Sequence, residues 1–198
     1  PKGSCKTTRL RVISGVLDAK DGEVLLDNTR RQKINRAELA KTMACLSQDI
    51  SLDLSFTVRE IILMGRSPHL PRLAKETAKD FEIAERAMSL ADVLHLADRL
   101  ITEISGGERQ RALIAMCLAQ EPKVLLLDEP LASLDADVRL VLLEELKRIH
   151  RSAGTTFLHV THDLGEAAYL GDRAASNTHG GITKPRTTPE CVSSASGQ

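Results

Sequence analysis

The chain has 198 residues, and its 27 Lys plus Arg balance 27 Asp plus Glu. It is long enough to bury its own core, while zero net charge supplies no overall field toward nucleic acid or an anionic membrane surface. Three Phe, one Tyr and no Trp leave few stacking platforms for single-stranded nucleic acid. No apolar run approaches the roughly 20 residues of a membrane span. The four cysteines, Cys5, Cys45, Cys117 and Cys191, form no C-x-x-C pair and fit free thiols better than a disulfide framework or a zinc site.

In chain order, "KTTRLRVISG" predicts a helix from Lys6 to Ser14, stopped at Gly15. "GEVLLD" (22–27) predicts a short strand, "NRAELAKT" a short helix, and "TMACLSQ" (42–48) a buried strand ending at Gln48. "TVREIILMG" opens with Thr57 and Glu60 at capping-box spacing and closes on Gly65, and Pro68 and Pro71 then break the chain. "AKDFEIAERAMSLADVL" repeats apolar residues at helical spacing, with Phe81, Ala84, Ala87 and Met88 on one side.

"SGGERQRALIAMCLA" predicts a helix from Ser105 to Ala119, stopped by Pro122. "KVLLLDEP" (123–130) is an apolar run that turns abruptly acidic, as a buried parallel strand does at the functional edge of a sheet. "ADVRLVLLEELKRIHRSAG" predicts a helix and "TTFLHVTHD" a strand. Strands alternating with helices indicate an α/β fold with a mostly parallel sheet, and residues of about 55–120 form a small helical subdomain within it. From 174 to 198 the chain is rich in Ser, Thr, Gly and Pro with few large apolar residues, and a disordered tail is expected.

Three stretches carry chemistry, each with a plainer alternative. "GSCKTT" (3–8) resembles the end of a phosphate loop, in which Lys6 would reach the terminal phosphates and Thr7 a Mg²⁺ ion; the alternative is a loop before an ordinary helix. At the end of "LLLDEP", Asp128 could hold Mg²⁺ and Glu129 could orient or deprotonate a water, or the strand could simply end in a solvated acidic turn. "ISGGERQ" starts a helix with two glycines that let phosphate approach the backbone, or it is a turn capped by Ser105 with Glu108 in the first helical turn. His69, His95, His150, His159 and His179 show no ligand spacing and read as structural or exposed.

Taken together these motifs resemble the ATP-binding subunits of ABC transporters. "ISGGERQ" is similar to the family signature, "VLLLDEP" to the Walker B strand, "LASLD" to the D-loop, "VTHD" to the switch-histidine motif, and Gln48 to the Q-loop glutamine. The resemblance covers residues 1–173, with a P-loop NTPase-type sheet flanked by helices, and "TVREIILMGRSPHL" with "HLADRLITEISGGERQR" is most like importers of iron–siderophores, haem or vitamin B12. It implies ATP and Mg²⁺ as ligands. Gly3, Ser4, Cys5, Lys6, Thr7, Thr8 and Gln48 would bind nucleotide, with Thr7, Gln48 and Asp128 on the metal. Glu129 and His162 would be catalytic, Ser105, Gly106, Gly107 and Glu108 would complete the site of a second copy, and Asp135 would link the two sites. The implied partners are a second ATPase subunit, transmembrane permease subunits and, indirectly, a substrate-binding protein, with no nucleic acid. The implied place is the cytoplasmic face of the cell membrane.

The sequence departs from the family pattern in three ways. Cys5 stands at the last glycine of the P-loop and Lys2 where the family usually has Asn. A strained non-glycine residue there would cost roughly 1–3 kcal/mol, or about one to two decades of affinity. Set against the family, the sequence reads as starting inside the P-loop, past the upstream strands and the adenine-stacking aromatic, with no aromatic before Phe56, and the low-complexity tail is expected in place of the family's further strands. Two rival readings stay open on these grounds: an ABC-like domain with impaired or no turnover, as a truncated or decayed copy would be, and a soluble ABC-type ATPase acting on DNA or ribosomes.

Overall fold

The computed structural model describes residues 6–47, 55–132, 134–178, 181–182 and 186–187. Helix α1 (Lys6–Ile13) leads into a two-residue hairpin, β1 (Leu25–Leu26) against β2 (Thr29–Arg30). Its turn is made by Asp27 and Asn28 at φ 48° and 60°, short polar residues that tolerate the left-handed region. The strand expected over 22–27 is therefore only two residues long, and β2 lacks the apolar alternation that would have announced it.

Helix α2 (Arg36–Thr42) is capped by Asn35, whose side chain accepts the Glu38 N–H at 2.8 Å. Strand β3 (Met43–Leu46) follows, then α3 (Val58–Met64), α4 (Ala78–Leu90) and α5 (Gly106–Ala119). Both Thr57–Glu60 before α3 and Ser105–Glu108 before α5 close reciprocal capping boxes. The chain then alternates β4 (Val124–Asp128), α6 (Ala136–Ala153), β5 (Thr156–Val160) and α7 (Leu164–Leu170). Strands β3, β4 and β5 form a parallel sheet with β4 in the middle, in register from Met43↔Val124 and Val124↔Thr156 onward. Leu125, Leu126 and Leu127 on the central strand are 0% exposed, the reason that β4 reads as a continuous apolar run.

Helices α3, α4 and α5 pack into one helical unit around Ile61, Ile62, Met88 and Ile114, and the same core continues to Leu125, Leu127 and Leu146 at the sheet. The stripe expected on α4 holds at Ala84, Ala87 and Met88 and fails at Phe81. Phe81 is 41% exposed, whereas Asp80, Ile83, Ala84, Ala87 and Met88 face inward. Asp80 is admitted to that face because Arg66 at the end of α3 pairs with it at 2.9 Å.

Strand β5 ends at Val160 instead of running on through His162, because Asp163 caps α7 by accepting from Gly165 N–H and Glu166 N–H at 2.7 and 3.1 Å. The segment expected to be a disordered tail holds β6 (Arg173–Ala174) paired with β9 (Arg186–Thr187), and between them β7 (Asn177–Thr178) paired with β8 (Gly181–Ile182). Backbone pairing of this kind needs no apolar interior, and Ile182 is 60% exposed.

Candidate nucleotide site at the ends of the central strands

The parallel sheet brings the carboxyl ends of β4 and β5 side by side, and α1 starts above them. Asp128, the last residue of β4, is 4% exposed, and its Oδ1 has no hydrogen-bond partner among the described residues. An ionised oxygen in that position is costly unless something binds it. Glu129 follows with φ 47°, a left-handed conformation that costs a non-glycine residue about 1–3 kcal/mol and gathers at functional sites. Its N–H donates to Val160 O at 2.9 Å, so β5 holds the turn in place.

Three expected residues meet here. Lys6 Nζ lies 3.6 Å from Glu129 Oε1 and donates to Thr161 O at 3.3 Å. His162 Nδ1 lies 3.3 Å from Glu129 Oε2. The His162 side chain is 67% exposed, whereas those of Lys6 and Glu129 are 25% and 22% exposed. Glu129 is thus flanked by an ammonium and an imidazole, each able to move onto an incoming phosphate. Thr7 and Thr8 sit exposed in the first turn of α1, which has no acidic residue to offset its positive end. The chemistry of these residues is compatible with Mg²⁺: the orphaned Asp128 oxygen and the Thr7 hydroxyl are hard donors of the kind it takes, and phosphate oxygens would supply others. The described residues hold no group of three or more His, Cys, Asp or Glu arranged for a metal.

The signature residues stand apart from this group. Ser105 Oγ accepts the Glu108 N–H at 3.3 Å, and Glu108 Oε2 accepts the Ser105 N–H at 2.8 Å. Bonds from the Ser105 backbone and hydroxyl hold the Glu108 carboxyl below the usual glutamate range. A Cβ on Gly107 would come within 2.7 Å of Val138 Cγ1, so glycine lets the start of α5 close against the start of α6. Asp135 caps α6 with an exposed side chain that makes no cap bond. No hydrogen bond or ion pair among the described residues joins Ser105–Glu108 to Lys6, Glu129 or His162. Gly3, Ser4, Cys5 and Gln48 lie outside the described residues.

Sequence reasoning missed Glu166, which is 6% exposed. It accepts the Thr161 hydroxyl at 2.6 Å and faces His159 Nε2 at 3.4 Å. Burial pushes the His159 imidazole below its ordinary pKa, with Glu166 opposing that shift in part. Asp163 and Glu166 stand at N-cap and third-residue spacing, a helix-start signal hidden when "VTHD" is read as strand.

A family profile described as "ABC transporter" matches residues 1–132. The petrobactin import ATP-binding protein FpuC of Bacillus anthracis is 40% identical over 173 residues, covering 87% of this chain and 64% of that protein. The ferric enterobactin transport ATP-binding protein FepC of Escherichia coli K12 is 36% identical, covering 97% of this chain and 71% of that one. The chain thus spans about two thirds of the length of these relatives. Among solved structures, the ATP-binding cassette MJ1267 of an ABC transporter superposes with a TM-score of 0.86 at 26% identity, covering 100% of this chain and 82% of that one. With the parallel sheet, the helical unit and the Lys6–Glu129–His162 cluster, these likenesses establish that the chain belongs to the ABC transporter family and has its P-loop NTPase-type fold.

Proposed function

We propose that the chain is an ATP-binding and ATP-hydrolysing subunit that powers import of a metal chelate of the iron–siderophore, haem or cobalamin type. The observation that carries the chemistry is the seating of Glu129 between Lys6 and His162, beside a buried Asp128 oxygen that has no hydrogen-bond partner among the described residues. Lys6 would leave Glu129 to bind the terminal phosphates, freeing Glu129 to orient an attacking water. His162, on the solvent side, would hold the γ-phosphate in line. Thr7 and Asp128 would hold Mg²⁺, which when bound neutralises charge on the phosphates. The names of the relatives support the metal-chelate reading.

Ser105–Glu108 and Asp135, by their likeness to the family's signature and D-loop, would act on a second copy of the subunit. Among the described residues no helix is long and apolar enough to cross a membrane. In this reading the subunit works on the cytoplasmic face through transmembrane permease partners, which in turn meet a substrate-binding protein.

The test is Mg–ATP binding by calorimetry for the parent chain, Lys6→Ala and Cys5→Gly, with turnover measured alongside. Parent binding that Lys6→Ala weakens by about a hundredfold or more supports the reading. Equal binding by parent and Lys6→Ala overturns it. Binding by Cys5→Gly alone favours the second reading, a family member whose turnover Cys5 impairs.

A further inference from the structure

We propose that Glu166 is a positioning residue that locks the His162-bearing turn in place and ties it to the Asp135-bearing turn. This rests on the ATPase reading above. The Thr161 carbonyl accepts from Lys6 at 3.3 Å, and His162 follows directly in the chain, so the placement of Thr161 sets two contacts of the site at once. The Thr161 side chain is fixed from two sides: its hydroxyl donates to Glu166 Oε2 at 2.6 Å and accepts the Asp163 N–H at 3.0 Å. A part-buried hydroxyl-to-carboxylate bond of that length is a strong constraint.

The other Glu166 oxygen faces α6. Arg139 Nε lies 3.9 Å from Glu166 Oε1, an ion-pair distance too long for a hydrogen bond, and Arg139 Nη2 donates to Leu134 O at 3.1 Å. Leu134 precedes Asp135, the N-cap of α6. One buried carboxylate therefore sits between the residue that contacts Lys6 and the arginine that braces the turn before α6. His159 Nε2, at 3.4 Å, closes the third side from β5. Displacement of the His162-bearing turn would break the Thr161 bond to Glu166, and the Arg139 ion pair couples that carboxylate to the turn before α6.

The experiment compares the parent with Glu166→Gln, Thr161→Val and Thr161→Ser, reading kcat and KM for ATP, melting temperature, and hydrogen exchange of the 158–167 segment. Glu166→Gln replaces a carboxylate oxygen with a donor facing Arg139 or His159. Thr161→Val removes the hydroxyl, and Thr161→Ser keeps it. The expected result is a fall in kcat of about ten- to a hundredfold in Glu166→Gln and Thr161→Val with KM little changed. Exchange at 161–163 becomes about tenfold faster, and Thr161→Ser recovers most of the lost rate relative to Thr161→Val. Folded variants that keep the parent kcat overturn the proposal, as do variants in which kcat and ATP affinity fall in equal proportion. If the parent itself does not turn over ATP, the functional reading fails separately and hydrogen exchange decides: faster exchange in both variants upholds the placement, and unchanged exchange overturns it. If Glu166→Gln does not fold, the Thr161 pair decides.

Discussion

Replacing Asp80 with Ala should destabilise the helical unit by about 3 kcal/mol. Asp80 accepts from the Thr77 hydroxyl at 2.6 Å, the Thr77 N–H at 2.9 Å and Arg66 Nε at 2.9 Å. Arg66, 4% exposed, also donates to Ala119 O at 2.7 Å and Glu121 Oε2 at 3.1 Å. One guanidinium at the end of α3 thus ties α4 to the end of α5. Removing one partner of a buried pair typically costs about 3–5 kcal/mol, because the other charge stays buried. The low end applies here, since Arg66 keeps two acceptors. In a chain of this size that lowers the melting temperature by about 6–12 °C. Bonds from Thr77, then Arg66, hold the Asp80 carboxyl down at about 2, against an ordinary 3.8. A depressed carboxylate contributes stability that is fully present above the unfolded value and lost as pH falls through the folded one. In denaturant melts the gap between parent and Asp80→Ala should hold from pH 7 to about 4 and narrow toward pH 2. A gap below about 0.5 kcal/mol at pH 7 refutes the argument. So does a gap undiminished at pH 2.

Three further outcomes are expected. Gly65→Ala should destabilise by about 1–3 kcal/mol or more, since a Cβ there would stand 2.1 Å from Met116 O and the backbone of α5 would have to move; a parent-like melting temperature would contradict this. His159, its pKa lowered by burial, should stay neutral in imidazole NMR at pH values where an exposed histidine is half protonated. Because the unfolded chain takes up that proton more readily, the stability held by neutral His159 should be full above about pH 6.5 and erode as pH falls. Cys117 is buried, and burial pushes its thiol up to about 12; it should resist thiol reagents at pH 8 in the folded chain and react on unfolding.

What was legible in the sequence was what neighbours decide. The Thr57–Glu60 and Ser105–Glu108 boxes each lie within four consecutive residues, and both form as the spacing implies. The central strand was legible because a strand covered on both faces writes an apolar run. The edge of the α4 stripe was not: Ala84, Ala87 and Met88 are buried as their spacing implies, but Phe81 is exposed and Asp80 takes the inward place. What turns Asp80 inward is Arg66, just beyond the end of α3. The candidate site divides the same way. Lys6, Glu129 and His162 could be named from motifs, and the structure brings those three together. The left-handed backbone at Glu129 leaves no local trace, since it depends on a strand elsewhere in the chain, whereas Glu166 leaves one in its spacing from Asp163, concealed when "VTHD" is read as strand. Glu129 keeps its strained turn only while β5 supplies Val160 O, and the end of β5 is fixed in turn by Thr161 on Glu166. The motif residues therefore name the chemistry, while a carboxylate outside every motif holds the switch turn on which their geometry depends.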